Sequence, residues 1–298
     1  MNVTVGSLRL KNPGMVASGI MDETGVSIAR MLDSGAGAVV TKSIGMEKNP
    51  GHPNPSFIVL ENGYVNAMGL PNPGIDEFRE EMEIATKKGC VIGSIYASSV
   101  NDFATLAGRM EDYGASAIEL NLSCPHAKGY GMEMGTDPDI VFSIVSNVKS
   151  AVSIPVFSKL TPNTHRLVDI GSSVQNAGGD GIVAINTLKA MVISPEAKRP
   201  ILSNKFGGLS GPAVKPVGVR AIYDLHAALD IPLIGVGGIC TWRDAAEYIM
   251  AGASAYQVGS AIGTHGIDAI NKINSGLEKF MKEYGYSSIE SMVGAAHE

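Results

Sequence analysis

Apolar runs of strand length alternate with longer segments of helical periodicity, and this alternation constrains the fold more than any other feature of the chain. The runs are predicted strands at residues 14–17, 37–41, 90–95, 116–121, 154–159, 180–185, 231–235 and 254–258. Helical spacing marks the segments 99–112, 137–149, 164–177, 214–229 and 241–251 between them. Because the strands lack polar alternation, both of their faces are expected to be buried, as in a parallel sheet covered by helices. Eight such units fit a closed (β/α)8 barrel, and a doubly wound sheet is the alternative.

The 298 residues suffice for two ordinary domains or for one barrel. No linker or low-complexity tract divides them, so we predict a single α/β domain over residues 1–298, a TIM barrel. Residues 3–10 predict a short hairpin that turns at Gly6 and covers the bottom of the barrel. Long βα connections follow three predicted strands, at residues 43–73, 122–136 and 186–213. In a barrel these connections gather at the C-terminal face, where active sites form.

Composition excludes several classes of protein. The formal net charge is −6 without any Lys/Arg-rich run, which argues against a nucleic-acid partner. No apolar run reaches the roughly 18 residues of a membrane span, and no signal peptide is visible at the N-terminus. The cysteines Cys90, Cys124 and Cys240 are widely spaced and form no CxxC pair. We therefore expect neither a disulfide framework nor a metal site, and a reducing, cytoplasmic location.

Polar residues stand at the ends of predicted strands, where a barrel would bring them together. They are Thr41-Lys42-Ser43, Asn121, Ser158-Lys159 and Asn186-Thr187. A lysine that ends an apolar strand is costly to bury without a partner, so it is expected to meet a ligand or a carboxylate. One such lysine could simply be a solvated strand end. Two lysines and two asparagines in equivalent places favour a binding site.

Cys124 differs from the other two cysteines because it lies past a strand end, in the sequence Asn121-Leu-Ser-Cys-Pro-His126. Its thiol could act as a general base if a neighbouring positive charge stabilised the thiolate. The alternative, that Cys124 is a small buried hydrophobic residue, stays open on this pattern alone. Cys90 and Cys240 are interpreted as such buried residues.

Glycines follow the seventh and eighth predicted strands, at Gly235-Val-Gly237-Gly238-Ile239 and at Gly259-Ser260. Phosphate sites in (β/α)8 barrels are frequently built from these two loops, and backbone N–H groups bind the anion there. This interpretation needs no arginine and is compatible with an acidic chain. The alternative is that the glycines serve only tight βα turns.

With these motifs the whole chain resembles the class 1 dihydroorotate dehydrogenases. The matching blocks are ASG 17–19, TKS 41–43, NAMGLPNPG 66–74, NLSCP 121–125, KLTPN 159–163, AINT 184–187, GGLSGPA 207–213, GVGGI 235–239 and GS 259–260. NAMGLPNPG and NLSCP in this order are highly specific together. GGLSGPA, and the stretch from Gly129 to Asp137, are most similar to the class 1B catalytic subunit.

The resemblance implies an FMN-dependent barrel that oxidises (S)-dihydroorotate to orotate in de novo pyrimidine biosynthesis. Cys124 matches the general base that removes the C5 proton while hydride passes from C6 to FMN. The positions that match flavin contacts are Ser18, Lys42, Ser43, Asn121, Lys159, Ile185, Gly211, Gly237, Gly238, Gly259 and Ser260. The positions that match substrate contacts are Lys42, Asn66, Ala67, Met68, Gly69, Leu70, Asn121, Asn186 and Thr187.

Class 1B catalytic subunits work with a second subunit that carries FAD and an iron–sulfur cluster and passes electrons to NAD. The resemblance therefore implies a homodimer of catalytic subunits within a heterotetramer. This chain has only three scattered cysteines, too few to ligate such a cluster by itself.

Two positions depart from the common family pattern, Ser94 and His126, where many relatives carry asparagine. Both features also resemble the flavin barrel of dihydropyrimidine dehydrogenase, so uracil or thymine is the alternative substrate. From a different class, a phosphate-binding lyase could use Lys42 or Lys159 as a Schiff base. Residues 125–135 are rich in glycine and are expected to form a mobile lid over the substrate.

Overall fold

Strands and helices alternate in a computed structural model that describes residues 1–122 and 134–297. Within these ranges the strands are β1 Val3–Val5, β2 Leu8–Leu10, β3 Gly14–Val16, β4 Ala38–Val40, β5 Phe57–Leu60, β6 Gly63–Asn66, β7 Val91–Ile95, β8 Ala117–Asn121, β9 Val156–Leu160, β10 Gly181–Ala184, β11 Leu188–Met191, β12 Ile193–Ser194, β13 Arg199–Pro200, β14 Phe206–Ser210, β15 Leu233–Val236 and β16 Ala253–Val258. The helices are α1 Gly25–Asp33, α2 Ile75–Ala85, α3 Val100–Asp112, α4 Pro138–Ala151, α5 Leu167–Asn176, α6 Lys215–Ala228, α7 Trp242–Met250, α8 Ser260–His265 and α9 Ala269–Tyr284.

Eight parallel strands close into a barrel, in the order β10-β15-β16-β3-β4-β7-β8-β9. Each of them overlaps one of the eight predicted strands, so the (β/α)8 prediction is confirmed. Every residue of β7 and of β9 is buried, as expected for strands that lie between a filled interior and a layer of helices. The alternative of a doubly wound sheet is wrong because β9 pairs with β10 and the ring has no edge.

The outer helices present one apolar stripe to the barrel, and α3 is representative. Ser99 caps its N-terminus by accepting a hydrogen bond from the Asp102 N–H at 3.1 Å. Its buried residues recur at helical spacing and are Phe103, Leu106, Ala107 and Met110. Burial of this stripe against β7 and β8 makes the helix stable in its place, because an isolated helix of this length is marginal in water.

The N-terminal hairpin covers the bottom of the barrel, as predicted. Strands β1 and β2 pair antiparallel, with Val3 opposite Leu10 and Val5 opposite Leu8, and all four side chains are buried. Gly6 turns the chain with φ +60°, and a Cβ at this residue would lie 3.1 Å from the Asp180 carbonyl oxygen, immediately before β10. The close approach and the positive φ both favour glycine here.

Two of the long connections contain strands that the sequence pattern did not predict. Residues 43–73 supply β5 and β6, and residues 186–213 supply β11 and β14, which form one antiparallel sheet in the order β11-β14-β6-β5. The two connections join where Gly208 pairs with Asn66 and Ser210 with Tyr64. One side of the sheet buries Val65, Ala67 and Leu202 in a small second core. The long loops at the C-terminal face are therefore partly a folded layer.

None of the helices in the described parts of the chain is long and apolar enough to cross a membrane.

A buried hydrogen bond fastens the last barrel strand to the final helix, and its removal is a test of the packing. The Tyr256 hydroxyl donates to Asn274 Oδ1 at 2.7 Å, and Asn274 Nδ2 donates to Asn12 Oδ1 at 2.9 Å. Tyr256→Phe should lower the free energy of unfolding by about 1–3 kcal/mol, because a buried acceptor loses its donor. Urea denaturation measures this. The control Tyr284→Phe, at a residue 64% exposed, should change stability by less than about 0.5 kcal/mol; equal effects would contradict the prediction.

Candidate active site

A cluster of small polar side chains lies at the carboxyl ends of the barrel strands, centred on Ser43. Its hydroxyl lies 2.9 Å from the Ser94 hydroxyl and 3.4 Å from that of Ser18, and Asn121 Nδ2 donates to it at 3.0 Å. Ser18, Ser43 and Asn121 follow or end β3, β4 and β8, and Ser94 is the fourth residue of β7. Ser18, Ser43 and Asn121 were predicted flavin contacts, and the structure brings them together.

The predicted substrate-binding amides adjoin this cluster. Asn186 Nδ2 donates to Asn121 Oδ1 at 3.5 Å, and the Thr187 N–H donates to Asn186 Oδ1 at 2.7 Å. Asn163 Nδ2 holds the Thr187 carbonyl at 2.9 Å, which fixes the loop after β10. Each side-chain amide has one acceptor oxygen and two N–H donors. The pair can therefore recognise a ring that presents both donors and acceptors.

The predicted substrate segment 66–70 begins at the edge of the same mouth. Asn66 ends β6 and pairs with Gly208, and a Cβ at Gly208 would overlap the side chain of Thr187. Only the backbone of Gly208 therefore lies between Asn66 and Thr187. Ala67 is buried, whereas Met68 is 40% exposed.

Asn72 holds the conformation of the NAMGLPNPG block, a function that sequence reasoning did not assign to it. Its Oδ1 accepts from the Gly45 N–H at 3.2 Å and the Gly74 N–H at 3.0 Å, and its Nδ2 donates to the Leu70 carbonyl at 2.9 Å. Gly69 and Leu70 both have positive φ, +75° and +56°. The conformation of Leu70 is one that L-residues rarely adopt, and the hydrogen bond to Asn72 supports it.

Lys42 follows β4 and is almost wholly buried, with 8% of its side chain exposed. Its ammonium lies 3.3 Å from Glu23 Oε1, on a carboxylate that is 65% exposed. Asp22, next to Glu23, is completely buried and accepts from the Gly19 N–H, and its Oδ1 has no hydrogen-bond partner among the residues that the structure describes. Burial raises the pKa of Asp22 to about 6, against the opposing effects of the Gly19 hydrogen bond and the Lys42 charge. Sequence reasoning missed Asp22, because a single acidic residue in a loop does not indicate a buried or functional carboxylate.

Lys159 was predicted at a strand end, but β9 continues to Leu160 and the lysine lies within the strand. The predicted boundary at residue 159 was wrong because the apolar run hides where the strand pairing ends. The Lys159 ammonium lies 3.5 Å from Glu119 Oε1, and Gln257 Nε2 donates to Glu119 Oε2 at 2.6 Å. Glu119 and Gln257 were also missed, although an acid inside the apolar run 116–121 was a signal that could have found Glu119.

The glycine turn after β15 meets the loops after β10 and β14. Gly237 and Gly238 have φ +126° and +71°, and a Cβ at Gly238 would lie 2.7 Å from the Gly211 carbonyl oxygen. A Cβ at Gly237 would lie 3.5 Å from the Ile185 side chain. The structure thus brings together four of the predicted flavin contacts. Tyr248, which sequence reasoning missed, donates its hydroxyl to the Gly237 carbonyl at 2.8 Å.

Gly259 and Ser260 lie on the neighbouring side of the mouth. Gly259 directly follows β16, and Ser260 is the first residue of α8. The Ala17 N–H donates to the Val258 carbonyl at 2.9 Å, so Ser18 is held next to this turn. The last two predicted flavin contacts, Gly259 and Ser260, therefore lie in one corner of the site with Ser18.

The residues 123–133 lie outside the described part of the chain. Cys124, His126 and nearly all of the predicted lid 125–135 fall there, so their roles stay predictions. Cys90 and Cys240 are free and half-buried, and burial raises the pKa of both thiols. This favours their interpretation as structural residues.

The closed parallel barrel, with lysine and amide side chains converging at its carboxyl-end rim, defines a (β/α)8-barrel enzyme. The sequence profile of the family Dihydroorotate dehydrogenase matches residues 1–281. The chain belongs to this family of oxidoreductases.

Individual relatives resemble the chain over its full length. The chain is 51% identical to "Dihydroorotate dehydrogenase B (NAD(+)), catalytic subunit" of Methanocella arvoryzae, with 98% of this chain and 96% of that protein covered. It is 49% identical to the protein of the same name from Pyrococcus abyssi, with 99% of both covered. The identity is 48% to that of Methanocaldococcus jannaschii, over 100% of this chain and 98% of the relative.

Asp22 makes stability depend on pH near the site. Its folded pKa of about 6 exceeds the ordinary value of 3.8, so its charged form is disfavoured by folding, and stability falls as pH rises through this interval. The variant Asp22→Asn lacks this pH-dependent contribution to the free energy of unfolding. Relative to the unmodified chain, the variant should therefore gain about 2 kcal/mol of unfolding free energy between about pH 4.5 and about pH 7.5.

Urea unfolding at several pH values checks this expectation. The control variant Asn101→Ala, at an exposed residue without a titratable group, should leave the pH profile parallel to that of the unmodified chain. A parallel profile for Asp22→Asn as well would contradict the assignment of the pH dependence to Asp22.

Proposed function

We propose that this chain catalyses the FMN-dependent oxidation of dihydroorotate to orotate in pyrimidine biosynthesis. The observation that carries the proposal is the hydrogen-bonded chain Ser43–Asn121–Asn186–Thr187, which joins the expected flavin contacts to the expected substrate contacts. The names of the relatives support the same reaction.

The residues present fit FMN. At Gly238, with φ +71°, a Cβ would lie 2.7 Å from the Gly211 carbonyl oxygen and 3.0 Å from the Lys215 backbone nitrogen. The turn is therefore too compact for a side chain at this residue. Such turns let N–H groups approach a phosphate. The buried Lys159 supplies a cation. The residues proposed to hold FMN are Ser18, Lys42, Ser43, Asn121, Lys159, Ile185, Gly211, Gly237, Gly238, Gly259 and Ser260.

The side chains have distinct roles toward the substrate. Lys42 is positioned as a buried cation for the substrate carboxylate, and Asn121, Asn186 and Thr187 offer donors and acceptors to the pyrimidine ring. Asn66, Ala67, Met68, Gly69 and Leu70 complete the proposed substrate site. Cys124 acts as the general base that removes the C5 proton. FMN, when bound, supplies the acceptor for hydride from C6.

Two observations bear on the alternatives. A buried lysine whose described partner is an exposed carboxylate suits a substrate with a carboxylate, which dihydroorotate has and dihydrouracil lacks. The ammonium groups of Lys42 and Lys159 both lie in ion pairs, at 3.3 and 3.5 Å. A protonated amine is not a nucleophile, so these pairs count against a Schiff-base lyase.

Electrons leave through a partner in this proposal. The relatives are named as catalytic subunits of an NAD(+) enzyme, which supports a partner subunit. We propose that this partner carries FAD and an iron–sulfur cluster and that the complex is cytoplasmic. The three cysteines of this chain are fewer than the four thiolates of a usual cluster.

Anaerobic reduction tests the proposed reaction. The purified chain, loaded with FMN, should lose its visible flavin absorbance on addition of dihydroorotate and keep it on addition of dihydrouracil. Cys124→Ala should bind FMN unchanged and be reduced on the order of 10²–10⁴-fold more slowly at neutral pH, because the general base is lost. Failure to bind FMN, or reduction by dihydrouracil alone, would overturn the proposal; unchanged reduction of Cys124→Ala would remove that residue from the mechanism.

The sheet over the barrel mouth supports the proposal that catalytic subunits form a homodimer. Phe57, Val59, Met191 and Phe206 are between 49% and 68% exposed. The register places all four on one face of the sheet. Phe57 pairs with Asn66 and Asn66 with Gly208, and Phe206 pairs with Met191. Residues two apart on a strand share a face, which joins Val59 to Phe57 and Phe206 to Gly208. A contiguous apolar face of this kind is typical of an interface. We infer that a second copy covers it.

Charge substitution on this sheet face tests the dimer. Light scattering of the unmodified chain should give twice the 31.1 kDa of one chain. The double variant Val59→Asp, Phe206→Asp should raise the dimer dissociation constant by at least about 100-fold, since carboxylates would be buried without partners. Val26→Asp, at a residue 68% exposed on α1, is the matched control and should stay dimeric. A monomeric unmodified chain would contradict the inference.

A further inference from the structure

A hydrogen bond crosses the interior of the barrel below the polar mouth. Gln257 Nε2 on β16 donates to Glu119 Oε2 on β8 at 2.6 Å. Three strands separate β16 from β8 in either direction around the ring, so the two side chains reach from opposite walls and meet inside. Both residues are 1% exposed. The pair is therefore isolated from solvent by the barrel itself.

Lys159 connects this pair to the active site. Its ammonium lies 3.5 Å from Glu119 Oε1, and among the ion pairs of the described residues Glu119 is its acidic partner. In the strand register Lys159 pairs with Asn121, a member of the mouth cluster, while Glu119 lies two residues deeper on β8. Glu119 Oε1 has no hydrogen-bond partner in the described structure. Its negative charge therefore acts on Lys159 without an intervening donor.

The energetics of this arrangement favour a functional role. Desolvating two charges is costly, and a well-packed apolar replacement of a buried ion pair is often neutral or stabilising. The carboxylate also offsets the charge of a lysine that the proposed function assigns to the flavin. A cation near bound flavin favours the reduced form, which carries additional negative charge, and a carboxylate behind that cation weakens the effect.

We propose that Glu119, held across the barrel by Gln257, is a positioning residue that fixes the Lys159 ammonium and sets the reduction potential of the bound flavin. This inference rests on the proposed function, because it requires that the chain bind FMN next to Lys159. The carboxylate lowers the potential below the value that Lys159 alone would give. Glu119 itself acts only through the lysine.

Potentiometric titration of the FMN-loaded chain tests this role. Glu119→Gln preserves shape and removes the charge, so the affinity for reduced FMN relative to oxidised FMN should rise by about tenfold. For a two-electron couple that is about 30 mV toward more positive potential. The control Glu278→Gln makes the same substitution in a surface ion pair with Lys282 on α9, where the carboxylate is 52% exposed, and should leave the potential unchanged.

A second variant separates charge from folding. The exchange Glu119→Gln with Gln257→Glu keeps the cross-barrel amide–carboxylate pair and the total charge but moves the carboxylate to the other wall. Its potential should lie between those of the unmodified chain and Glu119→Gln. Potentials of both variants equal to that of the unmodified chain would overturn the role of Glu119 while leaving the proposed function intact. An unmodified chain that cannot bind FMN would instead overturn the proposed function.

Discussion

Closure of the eight parallel strands is the constraint on which the site depends. It brings every strand's carboxyl end to one rim, so Ser43 and Asn121, which lie 78 residues apart in sequence, share a hydrogen bond. Closure also creates an interior that side chains must fill. In this barrel the filling includes a polar layer of Glu119, Gln257 and Lys159 beneath the rim. The rim carries the residues proposed to bind flavin and substrate. The layer below it sets the charge around Lys159.

The sequence was sufficient to predict the barrel because its strands are buried on both faces. Continuous apolar runs between amphipathic helices have few alternative folds, and the hairpin at Gly6 could be recognised from its turn. The polar residues at strand ends, such as Asn121 and Asn186, were also predictable, because parallel strands end at a common edge. The limit of this reasoning is illustrated by Lys159, whose strand extends one residue beyond the predicted boundary.

Other features have no local signature. Glu119 and Gln257 are 138 residues apart, and their contact depends on strand tilt and register around the whole ring. The strands of the antiparallel sheet β11-β14-β6-β5 are short, and β14 contains two glycines. Their sequence pattern therefore does not differ from that of a loop. Asn72 and Tyr248 act by bonding to backbone groups that the fold brings to them. Such contacts are consequences of the tertiary structure, and sequence periodicity carries no information about them.

The two lysines of the site have different freedom to meet a ligand. Lys42 is paired with Glu23, whose carboxylate is 65% exposed and can return to solvent when it leaves the lysine. An anionic ligand can therefore replace Glu23 at little cost. Lys159 is paired with a carboxylate that is only 1% exposed and has no solvent to return to. Lys42 is thus suited to exchange partners with an anion that arrives and leaves, and Lys159 to face a group that stays bound.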